Sequence, residues 1–170
     1  MNLPVAGALN DVQRGRLERF AAPACVDIHC HCLPGLDDGP QTMAEALALC
    51  RALAGDGVTI VIATPHQLGR YDGRNGASQI RRAVSGLNAV LLEQHVSLKI
   101  VPGADVRLDE RIPTLLDADQ VLSLCDGGTY LLVEQPPETL IDLRPLVVIL
   151  ASRGITLVVS HPERHPALSA

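Results

Sequence analysis

Tryptophan is absent from this chain, phenylalanine occurs once and tyrosine twice. A core built on large rings is therefore excluded, and so is a base-stacking platform for single-stranded nucleic acid, which needs exposed aromatics. The basic residues form no cluster and the formal net charge is −5, whereas a phosphate-backbone binder carries a basic stripe. No apolar stretch reaches the roughly 18–20 residues of a membrane span. The first residues lack the charged-then-apolar pattern of a secretory signal. Five cysteines make an odd number with no disulfide-framework spacing, and a reducing cytoplasm is the simplest setting for them.

What is present is aliphatic. Hydrophobic residues make up 47% of the 170 positions, enough for one Leu/Val/Ile/Ala core and too many for a disordered chain. Residues 1–24 differ from the rest: Asn10-Asp11 caps a short helix with Val12, Leu17 and Phe20 as its thin apolar face, and AAPA breaks it. This reads as an N-terminal extension, with the domain proper over 25–170. From Cys25 onward strands alternate with helices. CVDIHCH reads as a strand. In TMAEALALCRALAGDG, Thr42 and Glu45 form a capping box, and Met43, Leu47, Leu49, Cys50 and Leu53 give an apolar helical face. VTIVIATP is a nearly continuous apolar run rich in β-branched residues, as in a strand buried on both faces. A helix (ASQIRRAVSGLNAVLLEQH), a strand (SLKIVPGADV), a strand (TYLLVEQP), a helix (ETLIDLRPLVVILASRG) and a strand (ITLVVSHPER) follow, with Pro145 placed to kink or restart the last helix. The alternation predicts an α/β fold with about five parallel strands and right-handed crossovers.

Each predicted strand ends in a residue able to bind metal: His29 and His31 on the first, His66 on the second, Asp105, Glu134 and His161 on the others. Carboxyl ends of parallel strands converge on one rim, where sites are built. Any one of these residues alone is more often a satisfied polar group than a ligand; all five strand ends together point to a shared site. His-x-His on a strand puts both imidazoles on one face. Cys30 and Cys32 then point the other way, as small buried hydrophobes. Asp27 lies on the histidine side, placed to orient a His. Asp37-Asp38-Gly39 is by itself a turn signal, but here it brings a carboxylate over the strand ends. Mixed imidazole and carboxylate donors suit Mn²⁺, Fe²⁺ or Zn²⁺, and their number implies more than one ion, a hydrolytic arrangement. Arg164 is placed to clamp phosphate oxygens, or, in the plainer reading, to pair with Glu163.

VDIHCHCLPGLDDGP, VIATPHQ, VPGADVRL, YLLVEQP and LVVSHPERH, in this order and spacing, resemble the PHP (polymerase and histidinol phosphatase) superfamily. Within it they are most similar to the bacterial manganese-dependent tyrosine phosphatases of capsular and exopolysaccharide systems (CpsB/CapC type). The resemblance implies a distorted TIM-like (β/α)7 barrel with up to three metal ions at its strand ends. It also implies a metal-bound hydroxide attacking phosphotyrosine, on a bacterial tyrosine kinase controlling polysaccharide export. Carried over by position, His29 and His31 hold the first metal, Asp38 and His66 the third, Asp105 and Glu134 bridge, His161 completes the second, and Arg164 contacts the phosphate. A thiol mechanism is excluded on spacing, because the positions six after each cysteine hold His31, Leu36, Asp38, Asp56 and Leu131 rather than arginine.

Three departures accompany the resemblance. Asp105 stands where the family has Glu, and its shorter arm is expected to bridge less well. His165 stands where the family has an aromatic. A late Asp-x-His motif that donates to two of the metals has no counterpart by Ala170, so roughly a third of such a barrel is missing and an exposed sheet edge is expected. A possible homo-oligomer would cover that edge. Two other readings stand beside the leading one: a superfamily phosphoesterase acting on a small phosphate monoester such as histidinol phosphate, and an inactive metal-binding relative serving as an interaction module.

Overall fold

The computed structural model describes residues 25–165. The helix expected around Asn10–Phe20 lies outside the described residues. The strands are β1 (Cys25–Cys30), β2 (Val58–Ala63), β3 (His66–Gln67), β4 (Lys99–Pro102), β5 (Asp105–Arg107), β6 (Tyr130–Glu134) and β7 (Thr156–Ser160). The α-helices are α1 (Met43–Gly55), α2 (Ala77–Glu93), α3 (Ile112–Asp117) and α4 (Arg144–Ala151). Every strand pairing is parallel, so the fold is mixed α/β as expected.

Two of the expected strands are each broken in two. β2 stops at Ala63 and resumes as β3 at His66, after Thr64 and Pro65; β4 stops at Pro102 and resumes as β5 at Asp105, after Gly103 and Ala104. Hydrogen bonding thus divides the strands into a β1-β2-β4 sheet and a β3-β5-β6-β7 sheet. The register does not slip across the break: Ala63 faces Pro102 before it and His66 faces Asp105 after it. Pro65 has no N–H for the ladder, but its carbonyl accepts from Asp105 N at 3.2 Å. The break therefore leaves His66 and Asp105 side by side on adjacent strands. β1 and β7 end the order, with no strand beyond either among the described residues.

Alternation sorts the strand residues onto two faces. Val61, Ala63, Ile100, Val106, Leu131 and Val133 join Ala46 and Cys50 of α1, Ile80, Val84, Leu87 and Leu91 of α2, Ile112 of α3 and Leu150 of α4 in one buried cluster. All four helices thus cover one face. On the other, Ile62, Leu124 and Leu132 form a small cluster with Val101 and Val158. The side chains of Asp105, which registers with Leu132, and of Glu134, two residues further along β6, share this second face.

The helix signals are met unevenly. Thr42 caps α1 with both halves of the capping box formed. α4 is shorter than expected: it begins at Arg144, and Pro145 occupies its first turn, where a missing N–H costs nothing. Leu140 and Ile141 are accordingly outside the helix and exposed. β2 is buried only from Val61 onward, its first half lying nearer solvent than a strand covered on both faces.

Candidate metal centre

The ends of β1, β6 and β7, the starts of β3 and β5 and the turn after β1 bring His29, His31, Asp38, His66, Asp105, Glu134 and His161 together. Among the described residues they form three overlapping groups of closely spaced donor atoms: His29/Asp105/His161, His31/Asp38/His66 and His66/Asp105/Glu134. Asp105 and His66 each belong to two of them. His29 and His31 fall in different groups, yet their Nε2 atoms are 3.3 Å apart, close enough to share an ion.

The separations favour cations over direct pairing. Asp105 Oδ2 lies 3.6 Å from His29 Nε2 and 3.5 Å from His66 Nδ1. His66 Nδ1 is 3.8 Å from Glu134 Oε2 and its Nε2 is 3.7 Å from Asp38 Oδ1. These are too long for good hydrogen bonds. Two donors each about 2.1 Å from one ion, at an angle of roughly 100–110°, sit about 3.2–3.5 Å apart. Asp105 is wholly buried, and its Oδ2 has no hydrogen-bond partner among the described residues. Burial first, and Glu134 beside it, push its carboxyl above the usual carboxylate range. A buried carboxylate oxygen aimed at two imidazoles and facing a second carboxylate is stabilised by a shared cation. The donors present therefore fit a cluster of divalent ions, and the shorter Asp105 arm reaches both groups.

Residues around this shell hold it in place. Ser160 Oγ donates to Asp105 Oδ1 at 2.8 Å, which leaves Oδ2 facing the histidines. Asp37, nearly buried, pairs with His31 Nδ1 at 2.6 Å and accepts the backbone N–H of His66 and of Gly39, each at 3.0 Å. Burial opposes charge at both members of this pair. The Asp37 bond and the nearby acids nevertheless hold the His31 imidazole above its ordinary value, and His31 with the two N–H donors keeps Asp37 below its own. A proton shared on Nδ1 leaves the His31 Nε2 lone pair for a ligand. His161 adopts a left-handed backbone (φ 47°), and its Nδ1 pairs with Glu163 at 3.1 Å. His29 is pushed down to about 4, by burial first and then by the neighbouring imidazoles of His161, His31 and His66.

Several local expectations change. Asp27 accepts the backbone N–H of His29 at 3.0 Å rather than orienting a ring, at the point where the register of β1 with β2 shifts and a local side-chain-to-backbone bond competes with the ladder. Glu163 is taken by His161, so the plainer Arg164–Glu163 pairing is not formed; the Arg164 guanidinium makes no ion pair among the described residues. It lines both the 460 Å³ cavity around the histidines and the 230 Å³ cleft beside Glu134. Cys32 is fully buried, with Cys30 packed against the same core. Asp37, Ser160 and Arg107 were not singled out from sequence. Only the DDG turn carried a signal for the first, as a pair of acids beside His-x-His.

Fold and donors together define a parallel α/β domain with a candidate polynuclear metal centre at its strand ends. Residues 25–170 match the model of the capsular polysaccharide synthesis family CpsB/CapC. The chain belongs to that family. It is 34% identical to the tyrosine-protein phosphatase YwqE of Bacillus subtilis over 142 residues, covering 82% of this chain and 55% of that protein. It is 27% identical to the tyrosine-protein phosphatase CpsB of Streptococcus agalactiae over 149 residues, covering 84% of this chain and 58% of the relative. A solved structure from work on YwqE of Bacillus subtilis and CpsB of Streptococcus pneumoniae, described as metal-dependent tyrosine phosphatases, superposes with a TM-score of 0.80. It is 32% identical, and the match covers 85% of this chain and 58% of that one. The chain spans little more than half the length of the relatives it matches. No helix among the described residues is long and apolar enough to cross a membrane.

Proposed function

We propose that this chain hydrolyses phosphotyrosine on a protein of a polysaccharide synthesis or export system, a bacterial tyrosine kinase being the intended substrate. Two or three divalent ions, Mn²⁺ first among them, would be held by His29, His31, Asp38, His66, Asp105, Glu134 and His161. The observation that carries this reading is the set of three donor groups that share Asp105 and His66. Clustered divalent ions, when bound, supply Lewis acidity and a water acidic enough to attack at neutral pH. The chain's own residues do the positioning. Asp37 and Glu163 fix the His31 and His161 rings through Nδ1, and Ser160 aims the Asp105 carboxylate. Arg164, which makes no ion pair among the described residues, would grip phosphoryl oxygens with its planar fork.

The finer architecture belongs to the same proposal. The small apolar layer of Ile62, Val101, Leu132 and Val158 under the donor cluster suits the inner layer of an incomplete (β/α)7 barrel. Residues 1–24 are an extension outside this domain, which runs over 25–170. A cytoplasmic location suits the five unpaired thiols.

The test is hydrolysis of a phosphotyrosine peptide by chelator-treated protein, with and without added Mn²⁺. Activity that appears only with the ion, and that survives Cys30→Ser, supports the reading. Metal binding without hydrolysis would leave a metal-binding interaction module. Activity on small phosphate monoesters alone would favour the histidinol-phosphatase-like alternative.

A further inference from the structure

The three donor groups are not equivalent in charge. Two of them share the wholly buried Asp105 carboxylate, whereas the His31/Asp38/His66 group has Asp38 as its one carboxylate. The Asp38 side chain stands 53% exposed on the turn after β1. It is also already engaged. Arg70 Nη2 donates to Asp38 Oδ2 at 2.8 Å, the one hydrogen bond that the described residues make to this carboxylate. The other oxygen, Oδ1, faces into the group, 3.7 Å from His66 Nε2 and 3.6 Å from His31 Nδ1. A guanidinium therefore sits on the far oxygen of the carboxylate that this group would offer to an ion.

The turn that carries Arg70 is shaped for this contact. Its backbone is left-handed at Leu68 (φ 65°) and Gly69 (φ 54°), an uncommon angle for a leucine. A Cβ at Gly69 would come within 3.0 Å of Arg107 Cγ, so the Arg107 stem lies directly against the turn. The head of Arg70 is held from two sides although 68% of its side chain is exposed. Asp38 takes one N–H, and the guanidinium lies 4.8 Å over the Tyr71 ring, which itself stacks on His66 with the rings 5.6 Å apart and 13° from parallel. Arg107 makes a contrast. It stands 3.5 Å from Glu134 Oε2 and gives its Nη1 hydrogen to the Gln135 carbonyl at 2.7 Å, so it engages a candidate ligand less directly.

We propose that Arg70 is a built-in competitor for the divalent ion of the His31/Asp38/His66 group, which makes that position the last to fill and the first to exchange. It rests on the metal-centre reading above and deepens it. Magnitudes decide the sign. An ion about 2.1 Å from Asp38 Oδ1 lies about 5–6 Å from the Arg70 guanidinium. Even at the dielectric constant of water, a unit charge and a divalent ion at that distance repel enough to weaken binding roughly tenfold. Holding an exposed carboxylate in place by an ion pair returns at most about fivefold. Repulsion wins. Ser160 and Asp37 differ in this respect, because a hydroxyl and a carboxylate steady their ligands without adding positive charge. Occupancy of the third position then follows the concentration of free divalent ion, while the two groups around Asp105 stay filled.

Titration of the chelator-treated full chain with Mn²⁺ alone tests this, with bound ions counted by equilibrium dialysis and affinities taken from competition with a fluorescent chelator. Arg70→Gln is expected to tighten the weakest ion about tenfold and to leave the tighter ones within twofold of wild type. A third ion seen only in Arg70→Gln is the same result in extreme form. Arg70→Lys keeps the charge and should stay near wild type, and added salt should narrow the gap between wild type and Arg70→Gln. Asp38→Asn should remove the weakest ion, after which Arg70→Gln changes nothing further. Three results would overturn the proposal: a weakest ion that Arg70→Gln leaves within twofold or loosens, an equal gain at every ion, or a gain that persists in Asp38→Asn. A chain that binds no Mn²⁺ in any form removes the metal centre and this proposal together. A wild type that binds ions without any response at Arg70 removes this proposal alone.

Discussion

Gly39 and Gly86 receive the same substitution and should respond with opposite signs. Gly39 closes the DDG turn: its N–H donates to Asp37 Oδ1 at 3.0 Å, and its carbonyl accepts from Gln41 Nε2 at 2.7 Å. A Cβ there would collide with the His31 carbonyl oxygen and come within 3.1 Å of His31 Cβ. The obstacle is backbone, so it cannot rotate away, and relief requires the turn to move off the strand end. Overpacking of this kind costs about 1–3 kcal/mol. For a chain of this size each kcal/mol is worth about 2–4 °C in Tm, so Gly39→Ala should melt about 2–12 °C lower. Gly86 lies on the exposed side of α2 with no heavy atom within 4 Å of its Cβ position. Alanine there removes a helix-interior glycine, which stabilises by roughly 0.5–1 kcal/mol, or about 1–4 °C. Thermal melts of the metal-free protein followed by far-UV circular dichroism measure both. Because the turn carries Asp37 and Asp38, Gly39→Ala should also lose about 10–100-fold in Mn²⁺ affinity, as outer supports of metal ligands do. A Gly39→Ala protein that melts at or above wild type would refute the claim that this turn is locked onto His31.

Three other outcomes follow from the same geometry. Ser160→Ala removes the one hydrogen bond that the described residues make to the buried Asp105 carboxylate, and competition titration should show Mn²⁺ binding weakened by about 10–100-fold. Asp37→Asn removes the anion that raises the His31 imidazole, so histidine NMR titration of the metal-free protein should find that group titrating at lower pH than in wild type. His29 titrates near 4 when folded and at 6.5 when unfolded. Between those values the unfolded chain takes up a proton that the folded one refuses, so stability falls as pH drops from 6.5 towards 4. Melts of metal-free protein at pH 7 and pH 5 should show a smaller loss in His29→Gln than in wild type.

The parts of the site legible in sequence were those governed by local periodicity. His29 and His31 share a face because strand side chains alternate, and Thr42 with Glu45 announces the start of α1. The alternation of strands with helices also placed Asp105, Glu134 and His161 on successive strands. What stayed hidden depends on contacts between distant segments. VTIVIATPH is mostly apolar, and although Pro65 marks where a ladder donor is lost, the sequence does not show that the strand resumes at His66 beside Asp105, which depends on how the two strands meet. α3 is only Ile112–Asp117, too short for an apolar period to emerge. Asp37 and Asp38 are adjacent and chemically alike. Which carboxylate braces His31 and which faces His66 is set by the fold of the turn against β1 and β3. Arg107 looks like the polar end of a strand, and its placement beside Glu134 of the paired strand and against the Gly69 turn becomes visible only when these segments are brought together.

Anomalous diffraction from crystals of this chain grown with Mn²⁺ tests the metal centre most directly. At least two peaks are expected, one bordered by His29, Asp105 and His161 and one by His66, Asp105 and Glu134, with Asp105 Oδ2 in contact with both. A map with no peak beside Asp105, at Mn²⁺ concentrations that support hydrolysis, would contradict the account.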